Sequence, residues 1–107
     1  MRVVVVESPY AGTVYENVTY ARECLADCLS RGEAPFASHL LYTQDGVLDD
    51  HDPFQRDLGI SAGLAIAERA DATVVYVDHG ITPGMRAGIR AALRAGRVVE
   101  YRGLGHA

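Results

Sequence analysis

The sequence predicts a single α/β domain of Rossmann-like type: a four-stranded, mainly parallel sheet in the order 2-1-3-4 with helices on both faces. Three observations lead there. Short apolar runs rich in β-branched residues alternate with stretches of helical periodicity, the βαβ rhythm of a parallel sheet. The first run is apolar at consecutive positions, the pattern of a strand buried on both faces and hence central. At 107 residues the chain supports one hydrophobic core and no second module, so 1–107 is read as one domain.

Arg2 to Glu7 forms the first strand, broken by Ser8-Pro9-Tyr10-Ala11-Gly12. Thr13 with Glu16 three residues later matches a capping box, opening a helix whose apolar face is Val14, Val18, Ala21, Leu25, Cys28 and Leu29, up to Gly32. Ala34 to Ser38 is a short second strand, after which His39 to Tyr42 leads into the longest loop, Thr43 to Asp52. Asp52-Pro53 reads as an N-cap with proline at the first helical position, starting a helix from Pro53 to about Ala70. Gly59 and Gly63 inside it each cost roughly 1 kcal/mol relative to Ala and permit close backbone packing. Thr73 to Asp78 is the third strand, Thr82-Pro83 starts a third helix with Met85, Ile89, Ala92 and Leu93 on its apolar face, and Val98 to Tyr101 is the last strand.

Charge and composition remove several function classes. Ten Lys+Arg against 14 Asp+Glu give a net charge of −4, without the basic footprint of a duplex-binding protein, so no nucleic acid polymer is expected as partner. Every basic residue is Arg, which excludes Schiff-base and lysine-nucleophile chemistry and leaves Arg, backbone N–H groups and hydroxyls to hold anions. Cys24 and Cys28 share a helix face with no second pair to complete a zinc site, and are read as buried thiols; no metal and no cofactor is expected. The Val3 to Val6 run is too short for a signal or a membrane span, so a cytoplasmic protein without a membrane partner is expected. A domain this small gains by burying more area between copies, which favours a homo-oligomer.

In the order 2-1-3-4 the connection reverses between strands one and three, leaving a crevice beyond their C-terminal ends where ligands bind. The loops Ser8 to Gly12 and Asp78 to Gly84 bracket it. Ser8, Tyr10 and Gly12 precede a helix N-terminus and suit a phosphate or ribose; the other reading is a plain Pro-Gly turn with Tyr10 packed down. Neither a phosphate loop of the GxxxxGK[ST] type nor a G-x-G-x-x-G fingerprint is present. Asp78 leaves a strand end at the crevice, where it orients a sugar hydroxyl or transfers a proton, or else caps neighbouring backbone; His79 follows it. Gly80, Gly84 and Gly88 let a ligand approach the backbone and Thr82 adds a donor, making a second phosphate or ribose cradle, or else the pattern is helix-start grammar alone. Ser38-His39 reaches the same sheet edge to contact a base or hydroxyl, or is a satisfied structural histidine. The run Asp49-Asp50-His51-Asp52 resembles a metal cluster only in composition, and Asp52 already has a capping role. Arg86, Arg90, Arg94 and Arg97 form either a solvated face or a phosphate-binding or interface stripe.

On Ser8-Pro9-Tyr10-Ala11-Gly12, on Ala70-Asp71 ahead of the third strand, and on Asp78…Gly80-Ile81-Thr82-Pro83-Gly84-Met85 before the last helix, nearly the whole chain resembles the nucleoside 2-deoxyribosyltransferase-like group, including its small phage and bacterial members of unknown function. The resemblance implies the same small parallel α/β fold and a site for a small-molecule nucleoside or nucleotide whose N-glycosidic bond is cleaved, with the deoxyribosyl group passed to another base or to water. It also implies a nucleophilic glutamate on the last helix, supported by an aspartate on the helix before strand three. Here the chain departs from the pattern: Gly88 lies near the glutamate's place and Gly63 near the aspartate's.

Glycine can neither attack a sugar carbon nor leave it, so the expected catalytic groups are Asp78 and Glu7, or a neighbouring subunit's carboxylate, acting on water as general base. The expected substrate-binding residues are Ser8, Pro9, Tyr10, Gly12, Ser38, His39, His79, Gly80, Thr82, Gly84 and Met85. The function expected is a nucleoside or nucleotide N-glycosidic-bond enzyme, deoxyribosyltransferase-like or hydrolase. The alternative is a non-catalytic nucleotide-binding or sequestering protein that kept the cradle without the nucleophile.

Overall fold

The computed structural model describes residues 1–106, folded as β1 (Val3–Glu7), α1 (Val14–Ser30), β2 (Ala34–Phe36), α2 (Ser38–Leu41), α3 (Pro53–Ala67), β3 (Ala72–Tyr76), α4 (Pro83–Arg94) and β4 (Val98–Arg102). The strands form one parallel sheet in the order β2-β1-β3-β4, with helices on both faces, as the sequence predicts. Val4 to Glu7 of β1 lie opposite Ala72 to Val75 of β3. Successive side chains of a strand point to opposite faces. Val4, Val6, Val74 and Tyr76 therefore pack with Tyr20, Cys24 and Cys28 of α1. Val5, Glu7 and Thr73 face the other side, where α3 and α4 lie, and Val75 packs there with Met85 and Ile89. No described helix is long and apolar enough to cross a membrane.

The local grammar holds at two of the three helix starts. Asp52 Oδ1 accepts from the Phe54 N–H at 3.0 Å, and Thr82 Oγ1 from the Met85 N–H at 3.3 Å, each ahead of a proline in the first turn. At α1 the expected capping box is absent: Thr13 has ψ of 80°, and its side chain makes no cap hydrogen bond. Asn17 holds this end instead, its Nδ2 donating to the carbonyls of Tyr10 and Ala11 at 3.0 Å each. The second strand ends at Phe36, short of the expected Ser38, and residues 38–41 wind into α2, which packs against α3. Gly63 makes that contact possible, because a Cβ there would sit 2.9 Å from Ser38 Cβ. Helix α3 runs unbroken through Gly59 and Gly63 and ends at Ala67, short of the expected Ala70, and β3 ends at Tyr76, two residues before Asp78.

A charged network ties the sheet to the turn after α1. Arg102, with only 8% of its side chain exposed, donates to Glu33 through both terminal nitrogens at 2.7 Å and to Glu100 at 2.8 Å. Arg2 bridges the same two carboxylates at 2.7 and 2.9 Å. The two guanidinium groups hold the Glu33 carboxyl down at about 2, against an ordinary 4.5. A lowered carboxyl stabilises the fold above its unfolded value and loses that contribution as pH falls towards its folded value. Glu33→Ala leaves a buried guanidinium without its main partner, so urea titration should show a loss of about 3 kcal/mol at pH 7. The difference between variant and parent should shrink as the pH is lowered from 4.5 towards 2.

Candidate functional site

A cavity of about 380 Å³ opens between α3 and α4, over the β1 and β3 side chains that point away from α1. Its size falls in the ordinary range for small-molecule sites, and it runs across the sheet face from Ser8 and Ser38, past the C-terminal ends of β1 and β2 beside the switch point, to Thr73 and Arg97 near the N-terminal ends of β3 and β4. Glu7, Ser8, Tyr10, Ser38, His39, Thr82, Gly84 and Met85 all line it, so most of the residues singled out from the sequence converge.

Pro9, Gly12, Asp78, His79 and Gly80 are not among its lining residues. Pro9 is buried beneath its loop, and Gly12 and Gly80 hold φ of 97° and 84°, conformations that serve the turns. Asp78 is committed to the C-terminal segment. Its carboxylate accepts from Tyr20 Oη at 2.6 Å, from the Leu104 N–H at 2.9 Å and from the His106 N–H at 3.0 Å. These donors, with Tyr20 foremost, hold it at about 2, and it acts as a staple for residues 104–106. His79 stacks on Tyr20 with ring centroids 4.1 Å apart and meets His106 at 3.3 Å, which places it with the staple.

Within the cavity, His39 Nε2 lies 3.3 Å from Ser8 Oγ, and the Tyr10 ring meets the imidazole edge-on at 5.6 Å. Burial pulls His39 down to about 4, so at neutral pH it is an uncharged hydrogen-bonding partner. Glu7 is placed differently. A Cβ on Gly88 of α4 would lie 2.2 Å from Glu7 Oε2 and 2.6 Å from its Cδ, so the carboxyl occupies the space that any side chain at position 88 would fill. No hydrogen bond or ion pair to that carboxyl occurs among the described residues, and neither oxygen is sealed off from solvent. Burial pushes it up to about 7, with the Arg97 charge opposing the shift. A carboxyl near neutrality both gives and takes a proton at working pH.

The position where the resemblance implies a supporting aspartate is closed, since Gly63 is pressed against Ser38. Sequence reasoning missed Asp50 and Arg56, which also line the cavity. Both come from the region of the long loop and the start of α3, where no periodic pattern marks them. Arg94 and Arg97 were visible as members of a basic stripe but not as cavity residues; Arg97 Nε is anchored on Thr73 Oγ1 at 3.1 Å.

Residues 2–102 match the model of DUF7768, a domain of unknown function. No curated protein matches the chain. Among solved structures, the chain is similar to a 2-deoxyribosyltransferase from Bacillus psychrosaccharolyticus, with 17% identity and a TM-score of 0.68, covering 94% of this chain and 72% of that one. It is also similar to a 2-desoxiribosyltransferase from Leishmania mexicana, with 10% identity and a TM-score of 0.67, covering 96% and 65%. At these identities the likeness establishes the fold, which is that of the deoxyribosyltransferases.

Two outcomes follow from the two carboxyls. Asp78→Asn should lower the melting temperature and speed hydrogen exchange at the Leu104 and His106 amides, because the charged acceptor of both is lost. Glu7 has a raised folded value, so its contribution is full below the ordinary 4.5 and is lost as pH rises through about 7. Glu7→Gln should therefore stabilise the protein by about 2 to 3 kcal/mol at pH 8 and by little at pH 4, read from melting curves at the two pH values.

Proposed function

We propose that this chain, which belongs to the DUF7768 family, takes a nucleoside or nucleotide into the cavity between α3 and α4 and cleaves its N-glycosidic bond. One observation carries the reading. In the fold of the 2-deoxyribosyltransferases, a cavity of about 380 Å³ across the sheet face holds, at the C-terminal end of β1, a poorly solvated carboxyl, Glu7, with no hydrogen-bonding partner among the described residues. Breaking a glycosidic bond builds positive charge at the sugar carbon, and a nearby carboxylate stabilises that charge and moves the accompanying proton.

The remaining lining groups suit the parts of such a substrate. Tyr10 and His39 present ring surface and an uncharged imidazole to a base, and Ser8, Ser38 and Thr82 present hydroxyls to a sugar, with Gly84 and Met85 alongside. Arg56, Arg94 and Arg97 supply the cations that a 5′-phosphate requires in a chain without lysine. Pro9, Gly12, His79 and Gly80 act indirectly, by shaping the two loops, and Asp78 by anchoring the segment behind one of them. Such a reaction needs no cofactor. Free thiols at Cys24 and Cys28 fit a cytoplasmic setting, and exposed Phe54 and Leu58, one turn apart on α3, fit a contact between copies of the chain.

The test is chromatography of the protein incubated with ribo- and deoxyribonucleosides and their 5′-monophosphates. Release of a free base from at least one is the expected result. A panel that stays intact while one member raises the melting temperature would instead mark a binding protein without this activity.

A further inference from the structure

The cavity is a groove with unlike ends. Helices α3 and α4 return over the same sheet face, so the space between them runs along the strands, from Ser8 and Thr82 at one end to Thr73 and Arg97 at the other. Gly84, Gly88, Ala91 and Arg94 follow at spacings of three or four along α4 and all line it, so small residues keep the passage open and an arginine ends the stripe. Charge is spread unevenly along this length. Arg56, in the first turn of α3, shares its end with the carboxylate of Asp50, and both also line a smaller hollow walled by the long loop. No carboxylate lines the other end, where Arg94 and Arg97 lie. Among the described residues neither of these forms an ion pair, and the Arg97 side chain is held only through Nε, on Thr73 Oγ1 at 3.1 Å, which leaves its two terminal nitrogens for a ligand. Arg86 and Arg90, of the same basic stripe, are exposed and outside the lining.

The distance from Glu7 to this cationic end has a chemical measure. Thr73 lies opposite Val5, two residues before Glu7, which is about 7 Å along the strand. From Gly88, against which the Glu7 carboxyl rests, to Arg94 is about 9 Å along the helix. In a nucleoside 5′-monophosphate a ring oxygen, two carbons and an ester oxygen separate the anomeric carbon from phosphorus, a span of about 6 Å. An anomeric carbon held at Glu7 therefore puts a 5′-phosphate within reach of both guanidinium groups. The base, on the other side of the sugar, then faces Tyr10 and His39 at the opposite end.

We infer that Arg94 and Arg97 form a phosphate subsite at the N-terminal end of β3 and β4, and that the substrate is a nucleoside 5′-monophosphate and not the free nucleoside. The assignment rests on the proposed glycosidic-bond reading and narrows its substrate class. Of the three cations lining the cavity the subsite takes two, because Asp50 offsets the charge of Arg56 at the end where the base lies. Thr73 is a positioning residue: by taking Nε it turns the remaining edge of the Arg97 guanidinium, a planar fork matched to phosphate oxygens, towards the groove. A free nucleoside leaves both guanidinium groups facing each other without an anion, whereas a phosphate between them satisfies their donors and cancels their repulsion.

The deciding experiment uses the whole chain with matched nucleosides and 5′-monophosphates, read both by melting temperature and by release of free base, with inorganic phosphate as competitor. The monophosphates should raise the melting temperature more than their nucleosides, and kcat/KM should favour them by about 100-fold or more. Arg94→Gln and Arg97→Gln should each cut that preference by about 10-fold and weaken competition by phosphate. Thr73→Val should lower the same preference by a few-fold, a ratio that loss of stability alone does not move. Arg86→Gln removes an equal charge from outside the cavity and should leave the preference at its parent value. Nucleosides turned over as well as their monophosphates, or an Arg86→Gln effect equal to that of Arg94→Gln, overturns the subsite while leaving glycosidic chemistry intact. Monophosphates that raise the melting temperature, lose that effect in both cavity variants and keep their bases leave the subsite standing and overturn the glycosidic reading. No turnover and no shift across the panel overturns both.

Discussion

β1 has hydrogen-bonded neighbours on both sides, so its side chains have only the two faces of the sheet to occupy. Val4 and Val6 take the α1 face and seal the core with Tyr20, Cys24 and Cys28; Val5 and Glu7 take the other. A slip of one residue in the pairing with β3 would drive the Glu7 carboxyl into the apolar cluster under α1 and expose the valines. The hydrophobic packing that fixes register in the core therefore also fixes the only strand-borne carboxyl of the cavity. The site depends on the core through this parity, and through little else in β1.

The contact between Glu7 and Gly88 runs against local stability on both sides. Glycine inside a helix costs about 1 kcal/mol relative to alanine, and a carboxyl pushed up to about 7 is poorly solvated when charged. The glycine makes room for the carboxyl, and an apolar pair at 7 and 88 of the same combined volume would fill that space without either cost. Through most of the chain the local grammar holds, with buried valines in the strands, proline and cap residues at the starts of α3 and α4, and paired charges around Arg102, while Thr13 at α1 is left uncapped. Local departures from an otherwise consistent sequence concentrate where function constrains it, and here two meet at one point in a cavity wall.

What was legible in the sequence depended on short-range physics. Buried parallel strands must be apolar at successive positions, and caps act within four residues, so the four strands, their order, the three longer helices and the crevice follow from the letters alone, while the four-residue α2 does not. Convergence of Ser8, Tyr10, Ser38, His39, Thr82 and Gly84 then follows from the crevice, because each lies just beyond a strand end. Illegible features are set by distant contacts. Asp50 and Arg56 join the cavity because the long loop folds over α3, with Leu48 within 3.1 Å of a Cβ at Gly59. The role of Asp78 was hidden most deeply, since its partners lie 26 and 28 positions ahead and 58 behind.

Glu7 and Asp78 illustrate how environment divides labour between chemically similar groups. Both are acids near the C-terminal ends of adjacent central strands, and on sequence grounds either serves as a base. Asp78 is met by a tyrosine hydroxyl and two backbone N–H groups, is held down at about 2, and uses its charge to hold residues 104–106. Glu7 is met by a bare stretch of helix and by no donor, and sits at about 7. Acid–base chemistry at neutral pH requires a group that both protonation states can occupy, and a carboxylate saturated with donors has given that up. Three satisfied donors hold the Asp78 carboxyl ionised, and for the same reason their lack leaves the Glu7 carboxyl able to change its protonation state near neutral pH.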